Sequence, residues 1–202
     1  MRPQPPEILI NEYVGIDYFI PSPELEEWAR KTFLDDESPL HNPDHAHLLQ
    51  AHIGYLWTNV PNSKGMRAVA GTAEIPSFRG AKWQKHRQLM QMQEWFGAIP
   101  DFVITLDANY CFETSDTNFC ALVEHELYHC AQALDEFGEP KFNAATDRPI
   151  YTIKDHDVTE FIGVVARYGI GSVANGIAFV EAANSEPLIA HADISKMCGN
   201  CL

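Results

Sequence analysis

The chain has 202 residues, 46% of them hydrophobic, enough for one sizeable core. Its net charge of −14 argues against a nucleic-acid partner, because gripping a phosphate backbone takes basic patches. No apolar run approaches the roughly 18 residues of a membrane-crossing helix.

Residues 1–21 carry prolines at 3, 5, 6 and 21 and read as an extended arm. They lack the basic-then-apolar layout of a secretory leader, and Cys111, Cys120, Cys130, Cys198 and Cys201 show no disulfide spacing. Both features point to a reducing, cytoplasmic setting. Ser22-Pro23-Glu24 opens a helix expected to reach about Leu34, with a cap, a first-turn proline and an early acid. His41, His45, His47 and His52 follow with no clean ligand pair beyond His41 and His45, which straddle Pro43, and read as surface histidines. Strands are expected at 51–58 and 66–75, separated by a Pro-Asn-Ser-Lys-Gly turn. Residues 79–96 fit a helix or a long loop. The clearest strand is Asp101 to Leu106, short, apolar and rich in β-branched residues.

The most informative stretch is Asn118 to Phe137, which contains His125-Glu126-x-x-His129. As one helix it puts both imidazoles on a single face, able to share a metal ion, with Glu126 about 100° round from His125. Phe119, Val123, Leu127, Cys130 and Leu134 follow helical spacing on the apolar side. Ser115, Asp116 and Thr117 offer caps at the start, and Gly138 with Pro140 marks the expected end. A short strand at 150–153 is expected next, then a helix from His156 to Tyr168 and another over 172–184. No repeat or linker divides the chain, so a single domain is expected, with an extension beyond about residue 170.

A catalytic zinc takes three protein ligands and keeps one open position. His156 is the best third ligand, at the start of a helix able to face His125 and His129. Glu160, one turn on, would orient a ligand by accepting a hydrogen bond from its second ring nitrogen. Glu160 is also the competing third ligand, as in thermolysin-like sites, where a glutamate completes the set.

VEHELYHC at 123–130, HDVTEF at 156–161, the Arg167-Tyr168-Gly169 ending and a DFVITL-type strand before the metal helix together resemble the phage metallopeptidases. These are small zincin-like proteins of phage and prophage regions, and the likeness covers about residues 50 to 170. It implies an α+β, single-domain, zincin-like fold over 1–202, with a small mixed sheet packed on the HExxH helix and a second ligand-bearing helix. It also implies a phage- or prophage-encoded metallopeptidase in the cytoplasm of a bacterial host.

The expected activity is zinc-dependent hydrolysis of a peptide or protein substrate, with no nucleic-acid or membrane partner. Zn²⁺ on His125, His129 and His156 would activate water, and Glu126 would act as general base. Arg167 and Tyr128, with Tyr151 behind them, are the candidates for stabilising the oxyanion. An edge strand, 66–75 or 101–106, would hold the substrate extended. The alternative is a non-enzymatic, zinc-stabilised phage accessory protein that acts by protein binding. Glu126 speaks against it, since a structural site closed by four ligands has no use for a base. Cys198-Gly-Asn-Cys201 has no second pair to complete a zinc knuckle and reads as a tail of reduced thiols.

Overall fold

The computed structural model describes residues 1–10, 15–64, 66–158, 162–170, 175–193 and 198–199. Its elements run α1 (Glu7–Ile10), β1 (Phe19–Pro21), α2 (Pro23–Ala29), a π-helical turn (Arg30–Leu34), a 3-10 helix (Pro43–Gln50) and β2 (Ile53–Thr58). Next come β3 (Ser63–Lys64), β4 (Arg67–Ala68), β5 (Gly71–Glu74), α3 (Lys82–Phe96), β6 (Phe102–Asp107) and α4 (Ala108–Glu113). The remainder is α5 (Asp116–His129), β7 (Cys130–Gln132), β8 (Tyr151–Ile153), α6 (Ile162–Tyr168) and α7 (Gly176–Asn184). The fold is mixed α+β, built on a small mixed sheet and several helices. Among the described residues no helix is long and apolar enough to cross a membrane.

The main sheet has the order β1-β2-β6-β5. β2 and β6 pair in parallel at its centre, and β1 and β5 add antiparallel edges. Every residue of β2 is buried, as expected for a strand covered on both faces. Side chains alternate across a sheet, so the register assigns the faces. Tyr55, Ile104 and Ala73 form one row, and Trp57, Leu106 and Gly71 the next, on the same face. Trp57 stacks on Phe119 of α5 with centroids 6.1 Å apart, which places α5 on that face. Trp28 of α2 joins the cluster 5.2 Å from Phe119. Gly54, of opposite parity, lies under Phe96, so α3 covers the other face; a Cβ at 54 would come within 2.7 Å of that ring. Residues 79–96, which fitted helix or loop, are therefore helical over Lys82–Phe96, closed by Gly97 at φ 73°.

Several expectations are corrected. The arm is not simply extended: α1 is helical, and β1 is an edge strand paired with Thr58, Trp57 and Leu56. Arg2 ties the chain start to the entry of α5 by donating to the carbonyls of Cys111 (2.7 Å) and Thr114 (2.6 Å). The strand foreseen over 66–75 is split, because Arg67–Ala68 turns back on Ser63–Lys64 before β5 begins. The metal helix ends at His129 rather than Phe137. Cys130–Gln132 pairs with Tyr151–Ile153, and the His129 carbonyl accepts from Lys154 N at 2.9 Å. Leu134, assigned to the helix's apolar face, is exposed. The described part of the next helix starts at Ile162, so His156 lies in a loop rather than at a helix start.

His45 is not a surface histidine. It is 1% exposed, its ring lies 4.6 Å from that of Tyr128, and its Nε2 is 3.9 Å from Glu124 Oε1. Burial, with His47 nearby, lowers its pKa to about 4, opposed by Asp44. A histidine depressed in the fold gives stability that is full above its unfolded pKa of about 6.5 and is lost as pH falls toward 4. His45→Phe should therefore remove an acid destabilisation of up to about 3 kcal/mol between those pH values. Urea titrations at pH 7 and pH 4.5 measure it, and an unchanged pH slope would refute the assignment.

Candidate metal centre

Ser115 starts α5, its Oγ accepting from Asn118 N at 3.2 Å, and the helix then lays Phe119, Leu122, Val123 and Leu127 into the core. That docking turns His125 and His129 together toward the chain returning after β8. Their ring centroids are 5.0 Å apart. His156 comes from the loop after β8, 5.1 Å from the His125 ring and 5.3 Å from the His129 ring. The Nε2 atoms of His156 and His125 are 3.3 Å apart. Two nitrogens bound at about 2.0–2.1 Å to one tetrahedral ion lie about 3.3–3.4 Å apart, so this pair matches an edge of a zinc polyhedron.

A fourth group completes the cluster. Cys198 Sγ is 3.1 Å from His129 Nε2, and ligand atoms of His125, His129, His156 and Cys198 all fall within 4.8 Å of one another. Sequence reasoning left this cysteine in a tail. Its separation from His129 matches no ligand spacing, and only the glycine after it hints at a close approach.

Orientation comes from the backbone. His129 Nδ1 lies 2.6 Å from the Lys154 carbonyl, which fixes the ring with Nε2 toward the cluster. This is the task foreseen for Glu160, which lies outside the described residues. Burial works against charging His129, but hydrogen bonds to Cys198 and Lys154, with Glu126 nearby, raise its pKa to about 9.

Glu126 is wholly buried, and neither carboxylate oxygen has a hydrogen-bond partner among the described residues. An orphaned buried acid is costly unless something else engages it. Burial, with Cys198 adding to it and His129 pulling the other way, pushes its pKa up to about 8. Room for it comes from Gly71, where a Cβ would lie 2.8 Å from Glu126 Oε1 and 2.9 Å from Leu122 Cδ1. Gly71 opens β5, the edge strand on the α5 face.

The other candidates are not among these donors. The Tyr128 hydroxyl donates to Asp44 Oδ2 (3.0 Å) and accepts from Asn42 Nδ2 (2.8 Å). Tyr151, in β8, pairs with Gln132 of β7, its ring 5.1 Å from that of Phe102. Arg167 is exposed in the last turn of α6.

The family model described as "Putative phage metallopeptidase" matches residues 26–184. The chain belongs to that family. No curated protein and no solved structure matches it. Membership in a metallopeptidase family implies a metal ion, and the histidine–cysteine cluster could bind one. Cys198 lies beyond the matched segment.

Proposed function

We propose that this phage metallopeptidase family member is a zinc peptidase of zincin-like type that acts on peptide or protein substrates in the cytoplasm of a bacterial host. His125, His129 and His156 would hold the ion. The observation that carries this reading is Glu126, fully buried without a hydrogen-bond partner among the described residues, one residue along α5 from a three-imidazole cluster. The ion, when bound, supplies Lewis acidity, polarising a carbonyl and acidifying water. Imidazole with thiol favours zinc over the harder cations.

In this reading Glu126 takes a proton from the attacking water and later delivers it to the leaving amine. Its raised pKa suits both tasks near neutral pH. The Lys154 carbonyl keeps His129 in one tautomer. Glu160 serves as an outer partner to the ligands. β5 is the edge of the sheet nearest the base and β6 is internal, which favours 66–75 over 101–106 as the strand whose outer rim would hold an extended peptide. Of the two groups proposed to meet negative charge, Arg167 is permanently charged and exposed, and the Tyr128 hydroxyl bonds Asn42 and Asp44.

Elemental analysis of protein purified without a His tag should find close to one zinc per chain. A folded, metal-free preparation that takes up no zinc would sink the proposal.

A second reading has one observation in its favour. Cys198 gives the cluster a fourth donor, and four protein ligands are the mark of a structural site. The protein would then be a non-enzymatic, zinc-stabilised phage accessory protein. Glu126 has no task in that reading, and its burial without a hydrogen-bond partner would be cost without return.

A further inference from the structure

We propose that Cys198 is a displaceable fourth ligand, and that Cys198 and Gly199 form a latch closing both the metal position and the substrate edge of the sheet. The proposal rests on the metal-site reading above and adds a resting state to it.

Three observations converge. The first is the cluster, in which the thiol stands 3.1 Å from His129 Nε2 and within 4.8 Å of donors from both other histidines. Three histidines leave a tetrahedral ion one position, and this sulfur, within 4.8 Å of a ligand atom of each of them, could fill it. The second is Glu126, buried and without a hydrogen-bond partner among the described residues, beside the same thiol, which reaches it electrostatically. A base held there has a use when water takes the place of sulfur.

The third is the seat of the segment. Cys198 bridges Gly71 in parallel, and Gly199 N donates to the Gly71 carbonyl at 2.8 Å. This occupies the outer rim of β5, where an extended peptide would pair. Such a close seat requires glycine: a Cβ at 199 would come within 2.4 Å of Thr72 Cγ2 and 2.6 Å of Val69 Cγ1.

Asp193 N donates to Asn118 Oδ1 at 3.0 Å near the start of α5. Between α7 and that point Leu188 and Ile189 stand exposed, and a cavity of about 270 Å³ lies between Ile189, Ala190, Ala192 and α5 residues such as Asp116 and Cys120. Unlatching exchanges the sulfur for water, with a proton taken up by the departing thiolate.

The test uses the full chain loaded with cobalt(II) in place of zinc, as wild type, Cys198→Ala and Gly199→Val. Wild type should show a sulfur-to-cobalt charge-transfer band. Both variants should lose it while keeping the ligand-field bands of a histidine site and the wild-type circular dichroism. Acetohydroxamate, which must displace the thiol in wild type, should bind both variants at least 10-fold more tightly. Gly199→Val keeps the thiol and blocks only its seat, so it separates latching from the loss of a sulfur. Cobalt uptake without a sulfur band in wild type, or equal acetohydroxamate affinity in all three, overturns the latch and leaves the metal site standing. No cobalt uptake by any of them overturns both. Unfolding of both variants would show the segment to be a fixed part of the fold and likewise overturns the latch.

Discussion

Glu126→Gln should abolish hydrolysis while leaving fold and metal content unchanged. Glutamine has nearly the same shape, so the packing against Gly71 and Leu122 survives. What goes is the ability to take and return a proton, a contribution of roughly 10² to 10⁴-fold in rate. The substitution also has a signature in stability. A carboxyl raised to about 8 by burial holds its proton in the fold where the unfolded chain, at its ordinary 4.5, has released it. Its contribution is therefore fully present below that ordinary value and is lost as pH rises through 8. In chelator-treated protein, wild type should weaken between pH 5 and pH 8 more steeply than the glutamine variant. The activity arm compares digests of a host lysate made by the two proteins. Identical cleavage of the same targets at the same rate would remove Glu126 from the mechanism.

His156→Ala should weaken zinc binding by more than the roughly 10 to 100-fold that loss of an outer-shell partner costs. Glu160→Ala should fall within that range. The distinction follows from geometry, since His156 Nε2 stands 3.3 Å from His125 Nε2. Thermal melting with and without added zinc gives a second measure. A ligand that binds only the folded chain raises the melting point in proportion to its affinity, so the zinc-dependent rise should vanish for His156→Ala and persist for Glu160→Ala. The reverse ranking would make the site a two-histidine, one-glutamate type.

The parts legible in the sequence are those encoded by local spacing. His125 and His129 four apart, the Ser115 and Ser22 caps, and the apolar runs of β2 and β6 each involve neighbours within a turn or a strand. Cys130 and Leu134 continued the helical period, so only the pairing of Cys130–Gln132 with Tyr151–Ile153 reveals that the chain turns at His129. His45 looked like any histidine in a polar stretch, and its burial comes from the side of α5 that carries Glu124 and Tyr128. Cys198 was the hardest. It reaches His129 from 69 residues away, and it depends on Gly71 and Gly199 lying against each other, which no sequence period encodes.

The strand order has a consequence for how the protein forms. β6 follows β1, β2 and β5 in the chain, yet it lies between β2 and β5 and is, among the described residues, the only strand joining them. The sheet therefore cannot grow outward hairpin by hairpin. Each ladder to β6 closes a long loop before it gains a hydrogen bond, the ordering that makes a topology slow. Until then the apolar run of β2 has only the three-residue β1 to cover its edges, and an exposed strand of that kind invites association between chains. Refolding yield should thus fall with protein concentration, and the slow step should lie in the docking of β6 rather than in the helices.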